Sequence, residues 1–389
     1  MLQLSTKNSA GRFTSSAGGL QSGLSILVLW VFSHDVGAVV LDMRPGVTEI
    51  SQRVYALHQL SLAVCVVVGI IVFGAMFYSM YAHRRSKHPT PARFHESTTV
   101  EVIWTVIPVL ILTAMAIPAT LALRDIEDNS DADLTVLITA SQWKWHYEYV
   151  EAGIGYYSNL ATPQAQIDGL EPKNEFYLLE VDNPLVLPTK KKVRFLMASN
   201  DVIHSWWVPD FAVKQDAVPG FINEAWTRVD VPGTYRGQCT ELCGKDHAFM
   251  PIVVEVRTEA EFDAWIEDQR LAMALSGEQA KADRARTWGM DELLPIGEEV
   301  YIEHCATCHQ PDGRGQGSKY PALAGSSIVT GPFVDHLNRV MNGKVDTEMQ
   351  SWAPQLSDRE LAAVLTYERN SWGNATGEIV QPMTVFEAR

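Results

Sequence analysis

Two long apolar runs constrain the fold of this chain more than any other sequence feature. The first run covers residues 55–82, and the second covers residues 100–123. Each is longer than the roughly 20 apolar residues that a helix needs to cross a bilayer core of about 30 Å. Lipid cannot satisfy backbone hydrogen bonds, so such runs cross a membrane as helices. We therefore expect a hairpin of two transmembrane helices within residues 39–130.

The loop between the two runs predicts the orientation of the hairpin. It contains the basic stretch His83-Arg84-Arg85-Ser86-Lys87, and short loops rich in Lys and Arg remain on the cytoplasmic side. Both outer ends of the hairpin, and all residues after Arg124, are then extracytoplasmic. Pro108 and Pro118 interrupt the second run, which is tolerated where neighbouring helices satisfy the freed backbone groups.

Residues 1–38 are typical of a secretory signal peptide. Two basic residues precede a short apolar stretch at residues 24–32, and small residues follow near Ala38. The apolar stretch is too short to span the bilayer. A third transmembrane helix is the alternative interpretation, and the polar Ser33-His34-Asp35 argues against it. We expect cleavage near Ala38.

The rest of the chain divides into segments with different patterns. Short alternating apolar stretches separated by turn signals occur within residues 131–257, at residues 134–140, 176–181, 192–198 and 252–256. Many short strands without intervening helices predict a β-sandwich or barrel. Residues 258–293 are polar and rich in alanine, which predicts a connecting helix. Residues 294–374 show a small all-α pattern and precede a tail, residues 375–389.

The charge and the cysteine content exclude several classes of protein. The chain has 389 residues and a formal net charge of −15. Because nucleic-acid binding needs a concentrated basic face, no nucleic-acid partner is expected. Of five cysteines, Cys65 lies alone in the first apolar run, and the other four form two close pairs. Stabilising disulfides usually close longer loops, so the pairs indicate ligand sets.

The first cysteine pair belongs to a group of soft metal ligands. The segment Gly237-Gln-Cys239-Thr-Glu241-Leu-Cys243-Gly-Lys-Asp-His247-Ala-Phe-Met250 combines two thiols, an imidazole and a thioether, and His204 lies upstream. Such ligands select copper over hard cations. A redox disulfide or a zinc site would not require Met250, and a mononuclear blue-copper site would leave one cysteine unexplained. We expect two copper ions bridged by both thiolates, with His204 and His247 each capping one.

The second pair forms an attachment motif for c-type haem, Cys305-Ala-Thr-Cys308-His309. The two thiols form thioethers with the haem vinyl groups, and the adjacent imidazole becomes the proximal iron ligand. A thioredoxin-like pair is the alternative, but no βαβ pattern surrounds the motif. A zinc site would need a further pair of ligands nearby. We therefore expect covalently bound haem c on Cys305, Cys308 and His309.

The distal iron ligand has three candidates, Met341, Met349 and His336. Met341 shares one face of a predicted helix with Phe333 and Leu337, which favours a place in the core. Met349 lies in a loop before a further predicted helix, and this part of the chain resembles the distal end of class I cytochromes c. We choose Met349. Ligation by histidine and methionine is typical of an electron-transfer haem.

These motifs resemble those of subunit II of haem–copper cytochrome c oxidases. Three blocks carry the resemblance: Asp201-Val-Ile-His-Ser-Trp-Trp-Val-Pro209, Asp216-Ala-Val-Pro-Gly220 and Gly237-Gln-Cys-Thr-Glu-Leu-Cys-Gly244. The resemblance implies a cupredoxin-like Greek-key β-sandwich that carries the dinuclear CuA centre. The implied copper ligands are the side chains of His204, Cys239, Cys243, His247 and Met250 and the backbone carbonyl of Glu241. The Glu241 carboxylate is further expected to reach a magnesium ion at the interface with subunit I.

Two other residues acquire roles from the resemblance. Gln142-Trp143-Lys-Trp145 matches the aromatic segment where the family receives electrons, so Trp143 is the expected point of arrival. The alternative, strand core or membrane-interface anchoring, suits Trp145 better than Trp143. Glu101 opens the second apolar run, where the family has a glutamate at the mouth of a proton-uptake channel into subunit I. Alternatively, Glu101 is an interfacial carboxylate at a helix N-terminus.

The whole chain resembles subunit II of a caa-type bacterial oxidase, which has a cytochrome c domain fused behind the CuA domain. Electrons are then expected to arrive at haem c, pass to CuA and continue to a haem of subunit I, where oxygen is reduced to water with proton pumping. The chain is a component of a cytochrome c oxidase but not its oxygen-reducing site. The implied partners are subunits I and III, cytochrome c or another electron donor, and membrane lipid. The implied location is the bacterial inner membrane, with both metal domains on the periplasmic side.

Three other functions stand as alternatives. A copper metallochaperone or thiol-redox protein would need exchangeable Cys239 and Cys243, and the haem motif argues against it. A relative of nitrous oxide reductase would lack the membrane hairpin and would carry a large catalytic domain. A quinol oxidase subunit shares the hairpin and the sandwich but lacks the copper ligands that this chain retains.

Overall fold

The structure of the chain is a computed structural model that describes residues 42–90, 93, 95–344 and 347–389. The expected signal peptide, residues 1–38, lies outside the described residues. The described part begins with helices α1 (Glu49–Ala82) and α2 (Thr98–Ile126). Both have the length and the apolar composition to cross a membrane, and they expose most of their apolar side chains within this chain. Soluble surfaces rarely expose so much apolar area, so these helices agree with the predicted hairpin.

Helix α1 begins before the apolar run that predicted it. The hydroxyl of Thr48 accepts a hydrogen bond from the backbone N–H of Ser51 (3.0 Å), and the Ser51 hydroxyl accepts one from the N–H of Thr48 (2.9 Å). This capping box satisfies N–H groups that a helix start leaves free. The Thr48 hydroxyl also donates to the carbonyl of Phe211 (2.9 Å). The start of α1 is therefore attached to the domain that follows the hairpin.

That domain is a sandwich of two sheets. Its described strands are β1 (Leu134–Ser141), β2 (Lys144–Tyr149), β3 (Ile154–Ser158), β4 (Leu185–Pro188), β5 (Val193–Ser199), β6 (His204–Val208), β7 (Val213–Ala217), β8 (Asn223–Thr227), β9 (Gly233–Cys239) and β10 (Pro251–Arg257). One five-stranded sheet has the order β3-β2-β1-β5-β8, and the other has the order β4-β10-β9-β6-β7. The short helix α3 (Gln164–Ile167) lies outside both sheets. The predicted cupredoxin-like β-sandwich is confirmed.

The core between the sheets is rich in aromatic side chains. Along β1 buried and half-buried residues alternate, as expected for a strand that turns one face to the core. Trp145 and Trp206 are fully buried. Cys239, Cys243 and Met250 belong to the same cluster of buried residues. The predicted copper ligands are therefore part of the packed interior and not of a loose surface loop.

Residues 176–181 do not form the predicted strand. They are turns and irregular backbone, apart from one bridge between Val181 and Leu160. Leu178 has a φ of 59°, which strand residues do not adopt. The guanidinium of Arg236 lies 3.6 Å from the centroid of the Phe176 ring. The apolar side chains of this segment thus pack along the sandwich from a loop, which explains their pattern.

A long helix, α4 (Glu259–Ala285), connects the sandwich to the C-terminal region, whose first helix begins at Met290, within the predicted linker of residues 258–293. Thr258 and Glu261 form a capping box at its start. Phe262 and Ile266 in its first turns belong to the core of the sandwich. Near its end, Asp283 pairs with Arg359 of the C-terminal region (3.5 Å). The helix therefore contacts both of the domains that it joins.

The C-terminal region is helical. Its described helices are α5 (Met290–His304), α6 (Ala306–His309), α7 (Ser327–Thr330), α8 (Phe333–Asn342), α9 (Asp358–Asn370) and α10 (Pro382–Ala388). Helices α5 and α9 cross at Gly297, where a Cβ atom would lie 2.2 Å from the carbonyl oxygen of Ala363. This close approach requires glycine. Residues 375–389, expected as a tail, include α10, and Val385 is fully buried in the core of this region.

Candidate copper and haem sites

The predicted copper ligands meet at one end of the sandwich. Cys239 is the last residue of β9 and Met250 directly precedes β10, the antiparallel partner of β9. Cys243 and His247 lie in the connection between these two strands. His204 is the first residue of β6, which pairs with β9 on its other side. Strand pairing therefore brings the distant histidine to the loop that holds the other ligands.

The donor atoms of these residues are close together. The sulfur atoms of Cys239 and Cys243 are 3.8 Å apart. The Cys243 sulfur also lies 3.4 Å from Nδ1 of His247 and 3.6 Å from the sulfur of Met250. A ring nitrogen of His204 and the two cysteine sulfurs lie within 4.8 Å of one another. The structure thus brings together all five side chains that the sequence predicted.

Asp201 orients His204. Its carboxylate oxygen lies 2.8 Å from Nε2 of His204, whereas Nδ1 of the same ring is buried and has no hydrogen-bond partner among the described residues. A carboxylate bound to one ring nitrogen fixes the tautomer and leaves the other nitrogen for a metal. An orphaned imidazole nitrogen beside two thiols and a thioether fits a soft metal such as copper. The sequence around Asp201 does not by itself indicate this role.

We expect Asp201→Asn to weaken copper binding by about 10–100-fold, because the amide no longer fixes the neutral tautomer of His204. Titration against a competing copper chelator measures this loss. Asp216→Asn is the matched control, since this carboxylate lies on the same domain but is exposed and pairs with Lys214 (3.5 Å). Equal affinities of the two variants would contradict the role of Asp201.

The two thiols differ in protonation in the metal-free chain. A hydrogen bond from the Cys243 thiol lowers the pKa of Cys239. The same hydrogen bond, together with burial, raises the pKa of Cys243. The thiolate is the form that binds metal. The proton on Cys243 leaves when a metal binds.

Glu241 directs two groups to different environments. Its carbonyl oxygen lies 3.4 Å from the sulfur of Cys239, among the soft donors. Its side chain is exposed, and a carboxylate prefers a hard cation such as magnesium. The carbonyl is placed as the predicted copper ligand requires, and the magnesium site stays a prediction.

Trp143 contacts the copper loop directly. Its Nε1 donates a hydrogen bond to the carbonyl of Cys243 (3.2 Å), and Nε2 of Gln142 donates to the same oxygen (2.8 Å). Gly244 permits this packing, because its φ is +121° and a Cβ atom there would lie 2.9 Å from Nε2 of Gln142 and 3.1 Å from the Trp143 ring. Trp145 is fully buried in the sandwich core. Nε1 of Trp145 also donates to a ligand residue, at the carbonyl of Met250 (3.2 Å). What distinguishes Trp143 is that its ring is only half-buried.

Glu101 lies away from both metal sites. It is in the first turn of α2 and is exposed within this chain. The sandwich follows the opposite end of this 29-residue helix, about 40 Å away at 1.5 Å per residue. Its role in proton uptake stays a prediction.

The haem motif follows the end of α5. Nδ1 of His309 lies 2.9 Å from the carbonyl oxygen of Pro321. This nitrogen therefore carries the proton and donates, which leaves Nε2 available to iron. Cys305 directly precedes the short helix α6 and Cys308 lies within it, with two residues between them as the attachment chemistry requires. These residues fit a covalently attached haem c.

The three candidates for the distal ligand occupy different environments. Met341 is 3% exposed on α8, within the core of the C-terminal region. His336 is also buried, and its Nε2 lies 2.8 Å from the carboxylate of Glu368. Met349 is half-buried in a loop at the margin of the same core. This arrangement favours Met349, whose ligation stays a prediction.

The haem region packs against the copper end of the sandwich. Nε2 of Gln350, the residue after Met349, donates to the carbonyl of Gln142 (3.2 Å). Nζ of Lys245, in the copper loop, donates to the carbonyl of Thr307 within the haem motif (3.2 Å). The haem loop thus contacts the sandwich, and the copper loop contacts the haem region.

A buried lysine lies in the same interface. Nζ of Lys144 is 4.5 Å from the ring centroid of Trp352 in the haem region and 5.4 Å from that of Tyr157 in the sandwich. Lys144 is 7% exposed and Trp352 is 6% exposed. Burial lowers the pKa of Lys144 to about 8. An ammonium so strongly desolvated shows that the two domains exclude water from this contact.

The fold and the two sites define a class, a membrane-anchored cupredoxin-type protein with a c-type haem motif. Residues 134–257 match the family model of the cytochrome c oxidase subunit II periplasmic domain, and residues 37–122 match that of its transmembrane domain. The chain belongs to the cytochrome c oxidase subunit II family. Residues 292–367 match the model of subunit III of cbb3-type cytochrome c oxidase, so the C-terminal helices match a cytochrome c domain. Membership in these families implies copper and haem c as cofactors.

Two sequence relatives agree with this assignment. The chain is 36% identical over 259 residues to "Probable cytochrome c oxidase subunit 2" of Rickettsia bellii, which covers 67% of this chain and 94% of that protein. It is 33% identical to cytochrome c oxidase subunit 2 of Cereibacter sphaeroides, covering 58% of this chain and 79% of that protein. Among solved structures, it is similar to the periplasmic domain of subunit II of cytochrome oxidase of Bradyrhizobium japonicum. That match has 40% identity and a TM-score of 0.33, and it covers 36% of this chain and 96% of that one.

Proposed function

We propose that this chain is subunit II of a caa-type bacterial cytochrome c oxidase. It accepts electrons through haem c, relays them to the dinuclear CuA centre and passes them to a haem of subunit I, where oxygen is reduced to water with proton pumping. When bound, haem c and the copper pair supply the two one-electron couples that such a relay needs. The chain itself binds and aligns these couples, and oxygen reduction belongs to subunit I.

The observation that carries this proposal is the contact between the two sites. Gln350 follows the predicted distal ligand and bonds to the carbonyl of Gln142, which belongs to the peptide group that links Gln142 to Trp143. Trp143 in turn bonds to the backbone of the copper ligand Cys243. Bonded and hydrogen-bonded atoms therefore connect the haem region to the copper loop without a solvent gap.

The surroundings of the copper ligands suit a site that changes its charge by one electron. His204 and Cys239 are 0% and 4% exposed, and Asp201 holds the imidazole in place. A rigid, water-excluding shell leaves little to rearrange when the charge changes. The sandwich thus keeps the same ligand positions in both redox states.

The exposed apolar side chains near the copper site support a protein partner there. Phe221, Ile222 and Leu242 are 69%, 65% and 80% exposed. Leu242 lies in the copper loop, and Phe221 and Ile222 lie in the connection that follows β7, whose last residue, Ala217, pairs with His204. Soluble surfaces rarely leave such groups in water unless they form an interface. We assign this surface, beside the exposed Glu241 carboxylate, to subunit I. The exposed faces of α1 and α2 are assigned to subunits I and III and to lipid.

The membrane helices and the periplasmic family domain support a location in the bacterial inner membrane, with both metal domains on the periplasmic side. The donor is then cytochrome c or another soluble or membrane-bound carrier that reaches the haem region. Glu101, at the far end of α2, is proposed for proton uptake into subunit I.

Replacing Trp143 by phenylalanine tests the proposed path. We expect the rate of electron transfer from haem to copper to fall on the order of tenfold, which is equivalent to roughly 1.4 kcal/mol in the barrier. Phenylalanine cannot donate the hydrogen bond to the carbonyl of Cys243, and its smaller ring makes less contact with the copper loop. Photochemical reduction of the full chain, followed at haem and copper wavelengths, measures the rate.

Trp226→Phe is the matched control for this measurement. Nε1 of Trp226 also donates to a backbone carbonyl at 3.2 Å, that of Asp125 at the end of α2. The control should retain the normal rate, because Asp125 is at the membrane-proximal end of the sandwich. Equal rates in the Trp143 and Trp226 variants would exclude the proposed path.

A further inference from the structure

Gln350 makes a contact that the cofactor-binding residues do not explain. Its Nε2 donates across the interface to Gln142 (3.2 Å). Its Oε1 accepts a hydrogen bond from Nε2 of Gln355 (3.0 Å), which also donates to the carbonyl of Ser351 (2.8 Å). Gln355 therefore fixes the orientation of the Gln350 amide, so that the NH₂ group points to the sandwich.

The acceptor of this bond is the carbonyl of Gln142, and hydrogen bonds also hold this residue in place. The backbone N–H of Gln142 donates to Asp201 (2.7 Å), and the Gln142 side chain donates to the carbonyl of Cys243 (2.8 Å). Asp201 also orients the copper ligand His204. The carbonyl that Gln350 meets is thus fixed relative to the copper ligands by two hydrogen bonds.

The other contacts across the interface position the haem region less directly. The bond from Lys245 to Thr307 lies in exposed surroundings. The contact of Lys144 with Trp352 is largely buried but has no preferred direction in the plane of the ring, because it is a cation–π contact. A hydrogen bond is directional. Gln350 therefore supplies the directional contact at the segment that carries Met349.

We propose that Gln350 is a positioning residue that docks the distal haem loop against the Gln142–Trp143 peptide and so sets the rate of haem-to-copper electron transfer. The inference rests on the proposed relay and adds to it a residue that binds neither cofactor. Gln350 acts through Gln142 and Trp143, and its amide leaves the iron and copper ligands unchanged. Removing its donor should therefore alter the docking and the rate but not the cofactors.

The test compares Gln350→Met and Gln350→Glu with the unchanged full chain. Methionine removes the donor at similar volume, and glutamate places an acceptor opposite the Gln142 carbonyl. We expect the methionine variant to lose about fivefold in transfer rate, which is equivalent to roughly 1 kcal/mol for one lost hydrogen bond. The glutamate variant should lose more. Haem and copper spectra and both reduction potentials should stay the same.

A second readout follows docking without electron transfer. Hydrogen–deuterium exchange of residues 141–145 and 350–353 reports how often the two domains separate. Both Gln350 variants should exchange faster in these two segments. Gln381→Met is the matched control, since Gln381 also bonds its side chain to a backbone, that of Trp288 (2.9 and 3.0 Å), but far from the interface.

The outcomes separate this inference from the relay itself. Rates and exchange equal to those of Gln381→Met would overturn the role of Gln350, and so would a shifted haem potential, which would mean that Gln350 acts on the iron ligand. Faster exchange with a slower rate supports the inference. If the unchanged chain transfers no electron from haem to copper, the relay is rejected, and the exchange data still decide whether Gln350 docks the loop.

Discussion

Replacing Cys239 by serine is expected to abolish the dinuclear copper centre. The Cys239 sulfur lies 3.8 Å from that of Cys243, so these two thiolates would together hold the proposed copper ions. A serine hydroxyl is a hard ligand with a far higher pKa and does not replace a thiolate ligand. The multi-line mixed-valence electron paramagnetic resonance signal and the near-infrared absorption should disappear. The c-type haem spectrum should remain, because Cys305 and Cys308 are in a separate domain.

Cys65→Ser is the matched control for this variant. Cys65 is exposed on α1 and takes part in neither site. The Cys65→Ser variant should keep both the copper and the haem signals. This result would separate the loss of a ligand from any general effect of removing a thiol. A copper signal that survives Cys239→Ser unchanged would show that the centre is misassigned.

Replacing Met349 by alanine is expected to change the haem from six-coordinate to a form without the methionine ligand. The sulfur–iron charge-transfer band should vanish and the reduction potential should fall, because methionine ligation raises the potential of c-type haems. Met349 is half-buried in a loop, so its truncation should cost little folding stability. Optical spectra of the oxidised chain and a redox titration measure both effects.

Met341→Ala separates ligation from packing. Met341 is 3% exposed in the core, so the free energy of unfolding should fall by about 2–5 kcal/mol while the charge-transfer band persists. The reverse pattern, with the band lost in the Met341 variant and kept in the Met349 variant, would assign the distal ligand to Met341.

The sequence could predict those parts of the sites whose residues lie close together in the chain. Cys239, Cys243, His247 and Met250 lie within one loop, so their spacing alone indicates a common metal site. Cys305, Cys308 and His309 lie within five residues, so their spacing alone likewise indicates a haem site. His204 lies far upstream in sequence and reaches the loop through the pairing of β6 with β9, so its expected role as a capping ligand depended on its chemistry and not on its spacing.

The parts that the sequence could not predict depend on contacts between distant backbone groups. Asp201 acts through a ring nitrogen of His204 and the N–H of Gln142. Gly244 matters because the Trp143 ring packs where its Cβ atom would be. Gln350 meets Gln142 from another domain. Carboxylates, glycines and glutamines are common in loops, and only the folded geometry distinguishes these three.

The fold, like the sites, could be predicted from the sequence only where the pattern is local. The hairpin and the sandwich follow from long apolar runs and alternating strands, which are local patterns. Residues 176–181 are also largely apolar, but they form a loop, in which Leu178 has a φ of 59°. A hydrophobic pattern predicts which side chains become buried. Whether the backbone forms a strand depends on pairing partners elsewhere in the chain.

The order in which the two centres are reduced tests the central claim most directly. In this experiment the full chain, loaded with haem and copper, receives less than one electron per molecule from a reduced cytochrome c in a rapid-mixing instrument. The relay predicts that haem absorbance changes first and that copper is then reduced at the rate at which the haem is reoxidised. Copper reduction that precedes haem reduction, or that proceeds equally fast when the haem is blocked, would contradict the relay.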